Sequence, residues 1–318
     1  MGAGRRARPA FGDAARGLAS GRDAAIAERR GRKGRRGRAM KVFVTGAGFI
    51  GARLIAALKA RGHEVDSPAR REKGGAREFD LAYPEPDAWE RRLQGVDVVV
   101  NTVGAFRGDL EAVHHSGPAA LFAAAGRAGV GRAVQLSALG AAVDAPQLFL
   151  ASKGRGDAAL GRFGGEARVL RPSLVFGPGG ASSRMMLKLA RLPLWPLPEG
   201  GRQRLQPVHV DDVVDALVRF AEGQGGQGAT IAAVGPREMS LADYLQTLRR
   251  GSSAKALELP AALVDTVAAL AERWPNSLLT RDSLAMLSAG SVADAAPFSR
   301  LLGRAPRDPA TFQDGEPR

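Results

Sequence analysis

From Lys41 onward, short apolar runs alternate with longer segments in which apolar residues recur every three or four positions. This alternation is typical of βαβ units around a parallel sheet. Several of the short runs are nearly continuous rather than alternating, as strands covered on both faces require. The predicted strands are 41–45, 63–67, 77–80, 96–101, 132–137, 167–172 and 229–234, and the predicted helices lie near 49–61, 86–93, 109–128, 147–162 and 211–222.

The regularity weakens after about residue 176. A loop rich in glycine and proline is followed by helical patterns near 240–250, 261–273 and 281–288. The predicted fold class is α/β, with a doubly wound parallel sheet (Rossmann) and a small, mostly helical C-terminal lobe. The predicted domains are a disordered basic tail at 1–39, a Rossmann domain at 40–235 with part of the lobe inserted near 177–205, and the lobe at 236–312.

The positive charge is concentrated at the start of the chain. The formal net charge is +14, and residues 1–39 hold twelve basic and three acidic residues, which leaves +5 for the remaining 279. The stretch RRGRKGRRGR at 29–38 combines glycine with basic side chains, which predicts disorder. The favoured interpretation is that Met40 is the true start. The alternatives are a polyanion-binding arm for nucleic acid or anionic lipid, and a transit peptide.

Composition excludes several kinds of site. The chain has no cysteine, so disulfides and thiolate nucleophiles are absent. Its four histidines are scattered along the sequence, and we predict no metal site. No apolar run reaches the roughly 18 residues that a transmembrane helix requires. The expected location is the cytoplasm, with peripheral attachment to a membrane as an alternative.

A glycine-rich loop supplies the clearest functional motif. VTGAGFIGARL follows the first predicted strand and opens the first predicted helix, so Gly46, Gly48 and Gly51 satisfy G-x-G-x-x-G in a βαβ context. Gly46 permits a tight turn, Gly48 lets the backbone approach a pyrophosphate, and Gly51 lets the helix pack closely on the strand. The amides at the helix end then face the anion. The sequence therefore predicts dinucleotide binding.

The second predicted strand leaves the choice between NAD and NADP open. Asp66 lies 20 residues after Gly46 and is placed to accept a hydrogen bond from a ribose hydroxyl, which favours NAD. Arg70, Arg71 and Lys73 follow, and a cation there favours the 2′-phosphate of NADP. A solvated loop of mixed charge is the alternative for these residues. NADP is slightly favoured.

The motifs together resemble a known family. The glycine loop, NTVGAF at 101–106, VQLSALGA at 134–141, RPSLVFGPG at 171–179 and QPVHVDDVVDAL at 206–217 resemble the extended and atypical short-chain dehydrogenase/reductases, the NAD-dependent epimerase/dehydratase group. With FLASK and LLTRDSLAML, their order is most similar to the branch related to the Rossmann-type accessory subunit of respiratory complex I and its bacterial relatives. The resemblance covers about residues 40–312.

The resemblance implies a set of cofactor contacts. It implies that the pyrophosphate is held by Gly46, Gly48, Phe49, Ile50 and Gly51, and that Arg70 binds a 2′-phosphate. It further implies that Asp80 and Leu81 flank the adenine and that Gly104 lies beside the adenosine ribose. At the other end, Ser137 would lie near the nicotinamide, Lys153 would bind the nicotinamide ribose, and Val175 would cover the nicotinamide ring. The loop has one residue fewer between its first two glycines than is usual in the family.

One position departs from the family in a way that bears on catalysis. The resemblance implies a tyrosine acid four residues before Lys153, and Phe149 stands there. A phenylalanine ring has no ionisable proton. Tyr83 and Tyr244 are not expected to replace it, and rescue by His114 or His209 is disfavoured. Ser137 and Lys153 are then expected to remain as cofactor ligands.

Three functions follow as hypotheses. The leading one is an NAD(P)-binding protein whose cofactor is structural, sensory or weakly used. The rival is an active oxidoreductase or isomerase acting on a lipophilic or quinone-related substrate. The third is a polyanion-binding protein that acts through the basic tail.

Two apolar segments of the lobe allow further interpretations. MMLKLARLPLWPLP at 185–198 is expected to close the lobe over the cofactor, and a substrate site, a protein partner or a membrane surface are the alternatives. The helical pattern at 261–274 is expected to be lobe core, with a partner surface as the alternative.

Overall fold

The first βαβ unit begins at the position where apolar residues start to recur. The computed structural model describes residues 38–68, 80–249, 251, 253–274 and 278–314. The chain divides into a unit of residues 1–39, of which only Arg38 and Ala39 are described, and a unit of residues 40–318 that holds every described element. The predicted basic tail therefore lies almost wholly outside the described residues.

Six parallel strands form the central sheet. They are β1 (Lys41–Thr45), β2 (Glu64–Asp66), β3 (Val98–Asn101), β4 (Arg132–Leu136), β5 (Glu166–Pro172) and β10 (Thr230–Ala233). Their order across the sheet is β10-β5-β4-β3-β1-β2, and each neighbouring pair is parallel. The order reverses at β1, so the chain winds outward in both directions from that strand. The predicted α/β Rossmann fold is confirmed.

Helices cover both faces of this sheet. They include α1 (Phe49–Ala60), α2 (Pro86–Arg92), α3 (Gly117–Arg127), α4 (Leu148–Leu160), α6 (Val210–Ala221) and α10 (Ala296–Leu302). One buried cluster joins α1, α6 and α10 to one face, and a second joins α2, α3 and α4 to the other. Val98, Val99 and Val100 of β3 are all fully buried, with alternate side chains in the two clusters. This two-sided burial explains the nearly continuous apolar runs.

The remaining elements form a lobe, which we define as residues 177–205 and 236–291. It contains α5 (Ala181–Ala190), β7 (Leu194–Pro198), β8 (Arg204–Leu205), β11 (Met239–Ser240), α7 (Leu241–Arg249), β12 (Lys255–Leu259), α8 (Ala261–Ala271) and α9 (Arg281–Ala289). The short strands β6 (Val175–Phe176) and β9 (Val208–His209) pair beside it. Its core is built around Met186, Trp195, Leu197 and Tyr244. None of the helices in the described part of the chain is long and apolar enough to cross a bilayer.

Two local predictions differ from the structure, and two others are tested only in part. Residues 77–79 of the predicted strand 77–80 lie outside the described residues, and Asp80 forms an isolated bridge with Tyr83. The helix predicted at 109–128 is interrupted near its start by a π-helical turn at Ala112–Ser116, which directly precedes α3. The expectation that 261–274 is lobe core is wrong, since in α8 only Ala268 has a side chain described as buried. Segment 185–198 is divided, with Met186 and Trp195 in the lobe core and other side chains exposed.

Candidate functional site

Two glycines after β1 are required by the backbone around them. Gly46 has φ of +85°, a region that side chains rarely adopt, and a Cβ there would lie 2.8 Å from Val103 N. A Cβ on Gly51 would overlap the carbonyl oxygen of Gly46 and crowd Thr102 Oγ1. The loop is therefore packed tightly between α1 and the segment that follows β3.

The amino end of α1 is open to an anion. Its N-cap residue, Gly48, has no side chain to cap the helix, and the first turn carries no acidic residue. Within the described part of the chain, no acceptor is bonded to the backbone N–H groups of Phe49, Ile50 or Gly51. A Cβ on Gly48 would meet no neighbouring segment within 4 Å. This combination of unpaired amides, helix dipole and open space suits a pyrophosphate.

Arg53 lies one turn after Phe49 on α1 and bonds to the loop that follows β6. Its guanidinium lies 4.9 Å from the centroid of the Phe49 ring and donates to Phe49 O at 2.9 Å. It also donates to Pro178 O at 2.6 Å. Arg53 thus joins the amino end of α1 to the loop after β6 and places a cation near the open amides.

A chain of buried polar side chains links the carboxyl ends of β1, β3 and β4. Thr45 Oγ1 donates to Asn101 Oδ1 at 2.7 Å, and Asn101 Nδ2 donates to Gln135 Oε1 at 2.8 Å. Thr102 Oγ1 lies 2.8 Å from the carbonyl oxygens of both Thr45 and Gly46. These bonds hold the segment after β3 against the glycine loop, because buried polar groups are costly without partners.

Lys153 is buried on α4, with its amino group at the ends of β3 and β4. Nζ donates to Val103 O at 2.9 Å and to Leu136 O at 3.2 Å. Burial lowers the pKa of Lys153 to about 8, and the charge of Asp157 opposes this shift. A Cβ on Gly104 would lie 3.7 Å from Nζ. The structure therefore brings the predicted residues Gly104 and Lys153 together.

His114 lies in the π-helical turn and has both ring nitrogens engaged. Nε2 accepts from Ala105 N at 3.0 Å, so Nδ1 carries the proton and faces Ser152 Oγ at 2.9 Å. Ser152 in turn donates to Phe149 O at 3.0 Å. Burial, with a smaller contribution from the charge of Lys153, lowers the pKa of His114 to about 3. His114 is therefore neutral near pH 7 and connects the loop after β3 to α4.

The hydroxyl of Ser137 is directed at a carboxylate that the sequence analysis did not single out. Ser137 Oγ donates to Asp157 Oδ2 at 2.8 Å, and Arg171 Nε donates to the same oxygen at 3.0 Å. Asp157 Oδ1 is buried without a hydrogen bond to any described atom. Burial raises the pKa of Asp157, while the bonds from Ser137 and Arg171 oppose the rise. In this arrangement the hydroxyl proton of Ser137 is engaged in the hydrogen bond to Asp157.

Phe149 lies in an apolar aromatic cluster at the mouth of the site. Its ring is 7% exposed and stacks on the ring of Phe106, with centroids 4.7 Å apart and planes 5° apart. The edge of the His114 ring is 5.2 Å away. Leu110 and Met286 complete the surroundings. Phe106 remains 53% exposed, so the stack presents one open aromatic face.

The lobe reaches the same helix through one carboxylate. Asp282, in the first turn of α9, accepts from the backbone N–H groups of Leu148 and Phe149, each at 3.1 Å. A capping box formed by Thr280 and Ser283 fixes the start of α9. The helix that carries Phe149 and Lys153 is therefore capped from the lobe.

The other predicted contacts are more dispersed. Asp80 and Leu81 are both buried, and Leu81 packs in the core with α2 and α3. Val175 pairs with Val208 beside the sheet. Arg70 lies outside the described residues. The predicted roles of these residues stay predictions.

The family follows from two matches. Residues 42–148 match the model of the NAD dependent epimerase/dehydratase family. The "3-diazoavenalumate denitrifying reductase" of a Streptomyces species is 33% identical over 253 residues, which cover 66% of this chain and 82% of that protein. The chain belongs to the NAD dependent epimerase/dehydratase family. The sequence-based resemblance is confirmed.

Other relatives of the chain are described as subunits of NADH dehydrogenase. The "NADH dehydrogenase (ubiquinone) 1 alpha subcomplex subunit 9, mitochondrial" of Arabidopsis thaliana is 28% identical over 214 residues, 59% of this chain and 52% of that protein. The chain thus spans about half the length of this curated relative. The match bears out the predicted similarity to the complex I branch.

Solved structures of epimerases share the fold. The UDP-glucuronic acid 4-epimerase of Bacillus cereus, in complex with UDP-glucuronic acid and NAD, superposes with a TM-score of 0.61 at 18% identity, covering 87% of this chain and 98% of the epimerase. At this identity the likeness is one of fold.

Several residues beside the family's motifs were not singled out from sequence. Asp157 lies four positions after Lys153, so helical spacing alone was sufficient to place both on one face of α4. Arg53 likewise follows the glycine loop by one turn. Asp282 and Phe106 are distant in sequence from the groups they contact, and no local pattern reveals them.

Proposed function

We propose that the protein binds NAD or NADP with the pyrophosphate at the amino end of α1, and that the cofactor is structural, sensory or weakly used. The observation that carries the second part is the aromatic stack. Where the family resemblance implies a tyrosine, the Phe149 ring packs against Phe106 and offers no proton. A positioned general acid contributes typically about 10²–10⁴-fold to a rate, so its loss removes the means of driving hydride transfer to a carbonyl.

The other candidate proton donors are either engaged in hydrogen bonds or placed away from the site, which supports the same proposal. His114 is neutral with both nitrogens engaged, and Ser137 already donates to Asp157. Tyr83 is exposed at a turn, whereas Tyr244 is buried in the lobe core, where burial raises the pKa of its phenol. Ser137 and Lys153 then act as groups that shape the nicotinamide end of the site.

The preference for NADP rests on charge near the end of β2. Asp66, which would favour NAD, is paired with Arg92 at 3.0 Å. The positive charge of Arg92 therefore reduces the repulsion that Asp66 would exert on a 2′-phosphate. Arg70, Arg71 and Lys73 supply basic residues in the undescribed segment that follows. A hydrogen bond between charged groups contributes about 1.5–3 kcal/mol, which corresponds to roughly ten- to a hundredfold in affinity. We expect tighter binding of NADPH than of NADH.

The test compares the native protein with Phe149→Tyr. Both are assayed with NADPH and NADH against a panel of aldehydes and ketones, with Phe106→Tyr as a matched control in the same stack. We expect no steady turnover by the native protein or by Phe106→Tyr, and a gain of carbonyl-reducing activity in Phe149→Tyr alone. Steady carbonyl reduction by the native protein would overturn the structural or sensory role of the cofactor.

A second candidate is an active reductase or isomerase on a lipophilic or quinone-related substrate. The open face of Phe106 and the apolar surroundings of Phe149 favour a flat or apolar group at the mouth of the site. The Streptomyces relative is itself described as a reductase. NADPH oxidation by the native protein that depends on an apolar acceptor, and that falls in Phe106→Ala, would support this candidate.

The likeness to a subunit of NADH dehydrogenase motivates a proposal on partners and location. We propose a cytoplasmic protein, peripheral to the membrane, that associates with a larger protein assembly. Fractionation of the cells that produce it, followed by size analysis of the native extract, tests both parts. A protein found only as a free species away from membranes contradicts them.

A further inference from the structure

Helix α8 carries an exposed apolar stripe. Leu263, Val267, Leu270 and Trp274 are 46%, 43%, 48% and 60% exposed. Their spacings of four, three and four residues place them on one side of the helix, and bonds from Arg273 N to Leu270 O and from Trp274 N to Ala271 O continue the turn past Ala271. Scattered exposed apolar residues are ordinary, whereas an aligned set of this size marks a contact surface.

The rest of α8 explains why this side remains outward. Ala268 is fully buried, and α8 packs against α9. At about 100° per residue, Asp265 and Glu272 fall on the side of the helix away from the stripe. Arg273 lies on its flank. The stripe therefore contains no acidic residue and has a cation at its border.

A second apolar surface precedes α8 along the chain. β7 and β12 pair in parallel, with Leu194 opposite Lys255 and Pro196 opposite Leu257. Leu194 and Leu257 are 45% and 49% exposed. β12 then leads through Pro260 directly into α8. This ribbon thus displays apolar side chains together with Lys255, and the charge of its exposed Glu258 is paired with Arg202.

Exposed cations lie within these elements or shortly before them in the chain, with Lys188 and Arg191 before β7, Lys255 in β12 and Arg273 directly after α8. Lys188, Arg191, Lys255 and Arg273 are exposed, and none makes a salt bridge to another described residue. The remainder of the chain after residue 39 also has a net positive charge, by five. Large apolar residues that end in a tryptophan, with cations beside them, are the features of a helix that lies in a membrane interface.

We infer that α8 is a docking surface for an anionic bilayer, entered by Leu263, Val267, Leu270 and Trp274. The four side chains are each about half exposed, and they offer only part of the roughly 800 Å² per partner that a stable protein interface requires. Arg273 on the flank of the stripe and Lys255 in the neighbouring ribbon are complementary to anionic headgroups, whereas Asp265 and Glu272 lie on the side away from it. α8 has eleven residues, too few to cross a bilayer, so it would lie in the headgroup region.

Tryptophan fluorescence tests this inference on the full chain. Trp89 and Trp195 are 1% and 2% exposed, so Trp274 is the solvent-accessible tryptophan among the three. On addition of phosphatidylcholine vesicles containing phosphatidylglycerol, we expect a blue shift of the emission and protection from acrylamide. Lipids brominated on their acyl chains should quench Trp274. Pure phosphatidylcholine vesicles should produce a much smaller effect.

The variants separate α8 from the basic residues at the start of the chain. Leu263→Gln/Val267→Gln/Leu270→Gln keeps the tryptophan and good helix formers, and should weaken the vesicle-dependent shielding of Trp274 by about tenfold or more in lipid concentration. Val143→Gln, which removes an exposed valine elsewhere, is the matched control and should leave it unchanged. Arg273→Gln should weaken it about fivefold.

Three results would overturn the inference. Retention of the protein on anionic vesicles while Trp274 stays as accessible to acrylamide as in solution would assign the binding to the basic residues at the start of the chain. Shielding of Trp274 that grows with protein concentration without lipid would assign the stripe to a second copy. Equal shielding in the triple variant would show that the stripe is not the contact.

Discussion

The carboxyl ends of β1, β3 and β4 and the outer face of α8 follow opposite rules. At the strand ends, polar side chains are buried and bonded to one another, as in the series from Thr45 through Asn101 to Gln135, although Gln135 Nε2 and Asp157 Oδ1 have no partner among the described residues. On α8, large apolar groups lie in solvent and only Ala268 has a side chain described as buried. Each region departs from the usual burial of its residue type. The difference teaches that the first region holds its side chains in a fixed geometry, whereas the second presents its apolar side chains to a surface outside the protein, which we infer to be a membrane.

The largest effect on cofactor binding is expected where the strand ends are most tightly packed. Gly51→Ala places a Cβ against the carbonyl oxygen of Gly46, so the loop must move. We expect a loss of about 1–3 kcal/mol in the free energy of unfolding and loss of measurable NAD(P) binding. Chemical denaturation and calorimetric titration measure the two effects.

Gly48→Ala is the matched control for that substitution. Gly48 has φ of −83° and open space around it, so stability should change by less than about 0.5 kcal/mol. Only cofactor binding should suffer, because the methyl group stands where a phosphate approaches. Equal destabilisation by both substitutions would contradict the packing described for the loop.

Lys153 should impose a pH dependence on the stability of the strand-end region. Its pKa in the folded protein, about 8, lies below the ordinary lysine value of 10.5, so between these pH values the unfolded state binds more protons. The stability of the native protein relative to Lys153→Met should therefore rise from pH 8 to pH 10.5, by on the order of 3 kcal/mol. Below pH 8 the difference should be constant. Urea unfolding across this range provides the measurement, and a flat difference throughout would refute the burial of the charge.

Asp282 offers a smaller effect at the boundary between the two regions. Asp282→Ala removes the acceptor for the amides of Leu148 and Phe149. We expect a loss of about 1 kcal/mol in the free energy of unfolding, as for other helix caps. Hydrogen exchange of those two amides should accelerate, and Asp265→Ala on the outer part of α8 should leave them unchanged. Unchanged exchange in Asp282→Ala would show that the lobe does not cap α4.

The smallest effect on stability per residue is expected on α8 itself. Leu263→Gln/Val267→Gln/Leu270→Gln exchanges half-exposed side chains, so thermal unfolding should shift by an amount equivalent to less than about 0.5 kcal/mol per residue. A loss of several kcal/mol would mean that these side chains belong to a core, which would remove the contrast with the strand ends.

The sheet and the cofactor loop could be predicted from sequence because their signals are local. Continuous apolar runs mark strands covered on both faces, and β3 is fully buried along its length. The glycine motif is legible because each glycine meets a steric demand of its own, as at Gly46 and Gly51. The fold class and the family were therefore accessible from the residues alone.

The remainder depends on contacts between residues distant in sequence. The helical period of 261–274 gave the correct element, but period alone does not reveal which side of a helix is covered, and α8 exposes the side that was expected to be core. The cap that Asp282 provides for α4 joins residues more than 130 positions apart. The bond from Ser137 to Asp157 also depends on how α4 packs against β4.

Calorimetric titration of the native protein and Gly48→Ala with NADH and NADPH tests the central claim most directly. We predict saturable binding of at least one cofactor to the native protein, with NADPH preferred. In Gly48→Ala the added methyl group should hold the phosphate away from an amide of α1. The affinity should therefore fall by about tenfold or more, because a hydrogen bond to a charged group contributes about 1.5–3 kcal/mol. Absence of binding by the native protein, or equal affinity in the two proteins, would contradict the placement of the pyrophosphate at the amino end of α1.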